Sequence, residues 1–320
     1  MIPTYLSWIE SEIRKQKFGN QPISLYEPLR YIMALGGKRL RPLLTLLAYS
    51  LFKNNGRKIV PVATAVEVFH NFTLLHDDIM DNAPLRRGNP TVHKKWDVNT
   101  AILSGDVMQI KVYDLLLNVE DSKLKEVLVA FNKCATEVCE GQQNDMEFEL
   151  QSRVTEAQYL GMIRLKTAVL LGFSLELGAL LAGATGEERK ALREFGINIG
   201  IGFQLKDDLL DVYANKKKFG KMVGGDIVAN KKTFLLIKAL ALAKGKDKKE
   251  LTYWLKKKSF DKKKKVEAVT RIYDSLNLPR VTEKKIHHFF EKGFAQLENI
   301  RSSNKNELIC FAKNLIDRQV

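Results

Sequence analysis

Asp77, Asp78 and Asp81 close the apolar stretch HNFTLLHDDIMD that begins at His70. On a helix, residues four apart are stacked neighbours about 5–6 Å apart, so Asp77 and Asp81 point the same way. Two carboxylates that close repel unless a cation sits between them. Hard oxygens in ones and twos, with room for water, suit Mg²⁺ held together with substrate phosphates. Arg86 and Arg87 follow, just ahead of Gly88, and guanidiniums are permanently charged and shaped for phosphate oxygens. Acids for metal and arginines for phosphate within one short segment make a diphosphate site. A single DDxxD reads as readily as a solvated helix end. This chain repeats it: FQLKDDLLD sets Asp207, Asp208 and Asp211 at the same spacing, about 130 residues on, again closing an apolar helical run.

Other residues fit the same chemistry less specifically. In Gly36-Gly37-Lys38-Arg39-Leu40-Arg41-Pro42 the glycines end a helix, and Lys38 and Arg41 follow at one turn's spacing. Alone this is a glycine cap with surface charges; beside a diphosphate site it reads as a second anion pocket. Lys166-Thr167 lies inside the apolar run RLKTAVLLGF. Lysine is seldom buried without a partner, so Lys166 must reach an anion or extend to water. Gln142 and Asp145 interrupt a long helix and line either a cavity or a solvated face. The segment NKKKFGKMVGGDIVANKKT is a loop able to fold over phosphates, with Lys221 and Lys231 as its contacts, or merely a solvated one.

The elements that position these residues are helical. Proline is sparse at 8 in 320 residues, β-branched alternation is nearly absent, and Leu, Lys, Glu and Ala abound, which predicts an all-α protein. Helical patterning has no break and no Ser/Gly-rich linker interrupts it, so a single domain over 1–320 is expected. Helices are predicted over 3–16, 24–34 with Ser24 as cap, 43–53, 60–80, 98–118, 122–150, 156–184 and 187–212. Five more follow, at 233–243, 248–257, 263–275, 282–299 and 305–317. Pro84, Gly88 and Pro90 predict an irregular loop presenting Arg86 and Arg87.

Charge and cysteine content narrow the partners. The net charge of +15 comes mostly from lysine blocks at 216–218, 256–258 and 262–265. These lack interleaved aromatics and any reading motif, so they are expected to be solvated faces and not a nucleic-acid interface. A basic surface still serves to gather anionic substrates or to lie near anionic lipid. Cys134, Cys139 and Cys310 have no metal-ligand spacing and are odd in number, which points to a reducing, cytoplasmic setting. The N-terminus has no apolar signal region. The most apolar stretch, 168–184, is broken by Glu176 and short for a span, so it is expected to be a core helix and not a transmembrane segment.

Taken in order, GGKRLRP, HDDIMD…RRG, GQxxD, KT, FQLKDDLLD and GK form a set that resembles the trans-isoprenyl diphosphate synthases (polyprenyl synthetases) over about residues 30–235. The resemblance implies one all-α domain, the isoprenoid synthase fold, with helices around a deep central cavity, and a homodimer. It implies head-to-tail 1'-4 condensation of isopentenyl diphosphate with an allylic diphosphate (dimethylallyl, geranyl or farnesyl). It also implies three Mg²⁺ ions, two on Asp77 and Asp81 and a third on Asp207, with Asp78, Asp208 and Asp211 in support. Arg86, Lys166, Gln204, Lys221, Thr167 and Lys231 hold the allylic diphosphate on that reading. Lys38, Arg41, His70 and Arg87 hold isopentenyl diphosphate. Gln204 and Thr167 further steady the allylic cation through their oxygens.

Two departures bear on product length. Some short-chain members carry aromatics at both the fourth and fifth positions before the first aspartate, where this chain has Thr73 and Phe72. One bulky and one small residue favour a C20 product over C15, with Phe72 as a floor and Phe69 the next obstacle below it. Those members also end in a basic tail, where this chain ends DRQV with Arg318 alone. A terpene cyclase shares DDxxD but lacks a second DDLLD and needs no GGKRLRP. A non-catalytic subunit of a heteromeric synthase would be expected to lose acids from one motif, and both are intact.

Overall fold

The computed structural model describes residues 1–214, 224–298, 300–302 and 304–316, and is all-α as expected. Its only strands, among the described residues, are a two-residue pair, β1 (Leu85–Arg86) and β2 (Asn89–Pro90). Contacts divide the chain into two compact units whose segments interleave in sequence. The first comprises Met1–Lys133, Phe173–Arg193 and Ile300–Leu308; the second comprises Cys134–Gly172, Glu194–Asn299 and Ile309–Val320.

In the first unit the hub is α4 (Val60–Met80), which packs against α1 (Ile2–Lys15), α2 (Ile23–Ala34), α3 (Leu40–Ser50) and α6 (Val98–Leu116). Pro61 stands in its first turn, where a missing N–H costs nothing. Val62, Ala63, Ala65, Val66, Val68 and Phe69 are all buried, so one end of this helix is core on nearly every side. The helix stops at Asp81 in a Schellman motif. Asn82, at φ 49°, donates to the Ile79 carbonyl (3.1 Å), and Ala83 donates to that of Asp78 (2.9 Å). Helix α2 begins at Ile23 behind Pro22, and Ser24 lies inside it without capping it.

The buried ion cluster of this unit lies in the GGKRLRP turn. Arg39, at φ 48° and 4% exposed, donates to Glu10 (2.8 Å), to Glu67 (2.9 Å) and to the Met33 carbonyl (3.1 Å). Burial pulls the pKa of its guanidinium down, but the two carboxylates outweigh this and hold it above the usual arginine value. Arg39 is therefore a structural lock between α1, α2 and α4.

The predicted helix over 156–184 is broken. Helix α8 (Glu156–Ile163) opens with a reciprocal Thr155/Gln158 capping box. A π-helical turn, Arg164–Ala168, then precedes α9 (Val169–Ala182). Such single π turns are rare and recur at functional sites; this one holds Lys166 and Thr167. Helix α10 (Gly186–Tyr213) carries the second acid motif. After it come α11 (Gly225–Ala229), α12 (Phe234–Leu242), α13 (Gly245–Lys256), α14 (Lys262–Ser275), α15 (Leu278–Gln296) and α16 (Lys305–Ile316).

One lysine of the 262–265 block departs from the solvated face expected of it. Lys265 is fully buried and donates to the Val228 carbonyl (3.1 Å) and to Asn230 Oδ1 (2.7 Å), tying the end of α11. Gly56–Met80 and Glu156–Ala182 are long and apolar enough to cross a bilayer, but 67% and 78% of their apolar windows are buried in the protein. They are core helices.

Candidate active site

The first acid motif sits on the last turn of α4, and its three aspartates part ways. Asp78 is 2% exposed and takes a bidentate contact from Arg86, Nε to Oδ2 at 2.6 Å and Nη2 to Oδ1 at 2.7 Å. Burial raises its pKa, while the guanidinium draws it down. Asp77 is half-buried, with Arg86 Nη2 3.9 Å from its Oδ2, and Asp81 is exposed. Both stand at the carbonyl end of the helix, where its dipole is negative and disfavours an anion. A cation is the natural complement.

The segment bearing Arg86 and Arg87 is not the irregular loop expected from its prolines. Leu85 pairs with Pro90 and Arg86 with Asn89, leaving Arg87 (φ 53°) and Gly88 (φ 77°) as a two-residue turn. Positive φ at both positions is the type I′ hairpin requirement. The turn aims Arg87 at the other glycine-rich corner, where its Nη1 donates to the Gly36 carbonyl. A Cβ on Gly37 would stand 3.0 Å from the same guanidinium. The double glycine therefore does more than end α2; it is the seat of Arg87.

His70 stands seven residues before Asp77 on α4, half-buried among these cations. Burial first, then the guanidiniums of Arg41, Arg87, Arg86 and Arg39, push its pKa well below the ordinary histidine value. These guanidiniums make the corner around His70 electropositive, which favours an anion there. Lys38 is exposed in the 36–39 turn, and Arg41 is half-buried at the start of α3.

In the second unit the same pattern recurs with different partners. Asp208 is 4% exposed and accepts hydrogen bonds from the Tyr159 hydroxyl and from Gln204 Nε2 (3.1 Å). Asp207 and Asp211, one turn apart, stay half-exposed. With its nitrogen on Asp208, the Gln204 amide turns its oxygen to the Thr167 hydroxyl at 3.2 Å. Lys166, on the π turn, donates to Asp145 at 2.6 Å, and Lys231 lies 4.0 Å from the same carboxylate. Gly141 leaves the room: a Cβ there would collide with the Lys166 backbone nitrogen. Asp145 therefore belongs to the site and not to a solvated face. Lys221 lies outside the described residues.

Sequence reasoning missed Asp226, whose backbone N–H donates to Asp211 Oδ2 at 2.9 Å. Burial, with the charges of Asp211, Asp208 and Asp145 outweighing that of Lys231, lifts its carboxyl to about 7. Its place in the GGD of a loop-like segment carries no helical period that would have marked it.

The carboxylates of the two motifs are hard oxygen donors of the kind that hold a divalent cation in ones and twos. The crowding around Asp226 is a local excess of negative charge that such an ion would relieve.

Near the first motif, Phe72 is half-buried, its ring 4.7 Å from that of His76 and 5.7 Å from that of Phe69. Thr73, also half-buried, donates back to the His70 carbonyl (2.8 Å). Phe69 is 1% exposed and packed on Phe131. The four-residue helical row places Thr73 directly below Asp77 and Phe72 beside it, below His76.

Helices that end in paired carboxylates, each with a buried central aspartate and neighbouring Lys and Arg, define a class: all-α proteins built to bind diphosphates with divalent metal. Within it, this chain belongs to the polyprenyl synthetase family, which it matches over residues 22–273. It is 45% identical to a geranylgeranyl diphosphate synthase of Methanosarcina mazei over 221 residues, 68% of each chain. It is 38% identical to a geranylfarnesyl diphosphate synthase of Natronomonas pharaonis over 249 residues, 72% of this chain and 73% of that one. A crystal structure of a geranylgeranyl pyrophosphate synthase superposes with a TM-score of 0.92 at 41% identity, covering 99% of this chain and 98% of the other. The fold is the isoprenoid synthase fold.

Proposed function

We propose that the protein is a prenyltransferase that condenses isopentenyl diphosphate head-to-tail with an allylic diphosphate, giving a short-chain prenyl diphosphate with C20 favoured. The observation that carries this reading is the shared design of the two acid motifs. In each, the second aspartate is buried and hydrogen-bonded, and the first and third are left on the more open side of the helix.

Asp77 and Asp81 hold two Mg²⁺ ions and Asp207 a third, with Asp211, Asp145 and Asp226 close to the second motif. When bound, these ions supply positive charge to the departing diphosphate. The chain's own cations act in the same direction: Arg86, Lys166 and Lys231, with Lys221, hold the allylic diphosphate where negative charge grows. Fixed cations aimed at developing charge are worth on the order of 10²–10³ in rate each. Lys38, Arg41, His70 and Arg87 hold isopentenyl diphosphate. The oxygens of Thr167 and Gln204, oriented through Asp208, steady the allylic cation. Phe72, Thr73 and Phe69 bound the growing chain.

The protein acts as a homodimer in the cytoplasm. Leu103, Ile110 and Leu117 recur every seven residues along α6 and are 58%, 59% and 63% exposed, an apolar stripe that a second copy would cover. Incubating the purified chain with dimethylallyl diphosphate, labelled isopentenyl diphosphate and Mg²⁺, then sizing the products, tests the reading. Geranylgeranyl diphosphate is expected, with no product once the metal is chelated. Absence of any condensation would overturn it.

A further inference from the structure

Between Lys244 and Lys265 the chain carries eleven lysines and three acids. Only Lys265 is buried; the other ten lie at the surface, Lys257 half-exposed. The three acids do little to neutralise them. Asp247 accepts from Ser275 (3.0 Å), Glu250 pairs with Arg271 (2.7 Å), and Asp261 caps α14 on the Lys264 N–H (3.0 Å). Lys263 lies 4.0 Å from Glu267, an acid just outside the window. This segment alone supplies about half the net charge of the protein.

The charge is ordered on α13. Lys248, Lys249, Thr252, Tyr253, Lys256 and Lys257 follow one another at helical spacing and, with Gly245, line a shallow groove along the helix. Apolar groups are exposed on this helix and just before it in sequence. Tyr253 is 52% exposed, and Leu240 and Leu242, at the end of α12, are 38% and 45% exposed; Leu242 lies three residues before α13. Exposed leucines have no use for a free phosphate ion. They do for the acyl boundary beneath a layer of phosphate headgroups, where basic helices with an apolar edge lie flat.

A nucleic acid fits this surface less well. Binding along a strand stacks successive bases on several aromatic faces, and Tyr253 is the one aromatic side chain lining this groove.

We infer that α13 and its flanks, residues 240–264, dock the protein peripherally on an anionic lipid surface. The lysines meet headgroup phosphates, while Tyr253, Leu240 and Leu242 reach the acyl boundary. The association is independent of catalysis and sets the enzyme beside a phase that takes up an amphiphilic prenyl diphosphate.

Sedimentation of the full-length protein with vesicles tests this. Binding is expected to vesicles of phosphatidylcholine with phosphatidylglycerol, not to phosphatidylcholine alone, and is expected to vanish at about 1 M salt, where the Debye length is about 3 Å. Lys248→Gln with Lys249→Gln is expected to weaken it about thirtyfold, at about 1 kcal/mol per lysine, without changing turnover in solution. Leu242→Ser with Tyr253→Ser keeps every charge; it is expected to weaken vesicle binding while leaving any adsorption to polyuridylate unchanged. No binding to anionic vesicles, equal binding to neutral ones, indifference to both double variants, or capture by polyuridylate alone would each overturn the inference.

Discussion

Arg86 spends two of its donors on the two oxygens of Asp78, at 2.6 and 2.7 Å, so the central acid of the first motif is a bracket for the arginine hairpin. The motif thus divides into one aspartate that builds and two that stay on the more open side of the helix end. Asp81→Asn should reduce turnover by about 10²-fold or more with an unchanged melting curve. Asp78→Ala should lower turnover and also destabilise, by about 1.5–3 kcal/mol for the lost charge-assisted bonds. Identical melting of the two variants would show that the division is wrong.

Arg87 rests against Gly36 and Gly37. Gly37→Ala adds a methyl 3.0 Å from the guanidinium, at φ 145°, so Arg87 must move. The KM for isopentenyl diphosphate is expected to rise about tenfold or more, in line with a charged hydrogen bond, while that for the allylic substrate barely changes. Steady-state kinetics with each substrate varied in turn decides it.

The two lysines separate the two diphosphates. Lys38→Ala should raise the KM for isopentenyl diphosphate, and Lys166→Ala that for the allylic partner, each by about 10- to 100-fold. Loss of Lys166 also strips Asp145 of its 2.6 Å partner. If both variants shift both constants equally, the pockets have been misassigned.

Product length should follow the rows of α4. Thr73→Phe places a ring directly below Asp77 and should shorten the product towards C15. Phe72→Ala removes the ring beside it, and products should lengthen by one or a few isoprene units, since each turn rises about 5.4 Å and buried Phe69 remains below. Chromatographic sizing of products from folded, active variants is the measurement. An unaltered distribution in both would move the floor to another helix.

Arg39 tests the fold apart from the chemistry. Arg39→Ala leaves Glu67, 2% exposed, as a buried charge, and breaking such a pair costs about 3–5 kcal/mol. The melting temperature should fall sharply, and Arg39→Met with Glu67→Leu should recover much of it. A mild effect of the single variant would mean that water reaches Glu67.

The helices, the two acid motifs and the set of basic residues were legible in the sequence because each rests on short-range physics. Helical spacing stacks Asp77 on Asp81 and Asp207 on Asp211, and periodic apolar residues mark α4 and α10. What short range cannot show is which side of a helix is covered. Only tertiary packing buried Asp78 under Arg86 and Asp208 under Tyr159, and so decided which acids stay towards the open side of each helix. The π turn at Lys166 and Thr167 has no periodic signature, since RLKTA continues an apolar helical run. Arg39 stands between Lys38 and Arg41, the two cations assigned to the anion pocket, but Glu10 and Glu67, 29 and 28 residues away, turn it inward. Lys265 likewise left its solvated block for the carbonyl end of α11. Spacing along the chain selects the chemistry; contacts between distant segments decide which residues are left to perform it.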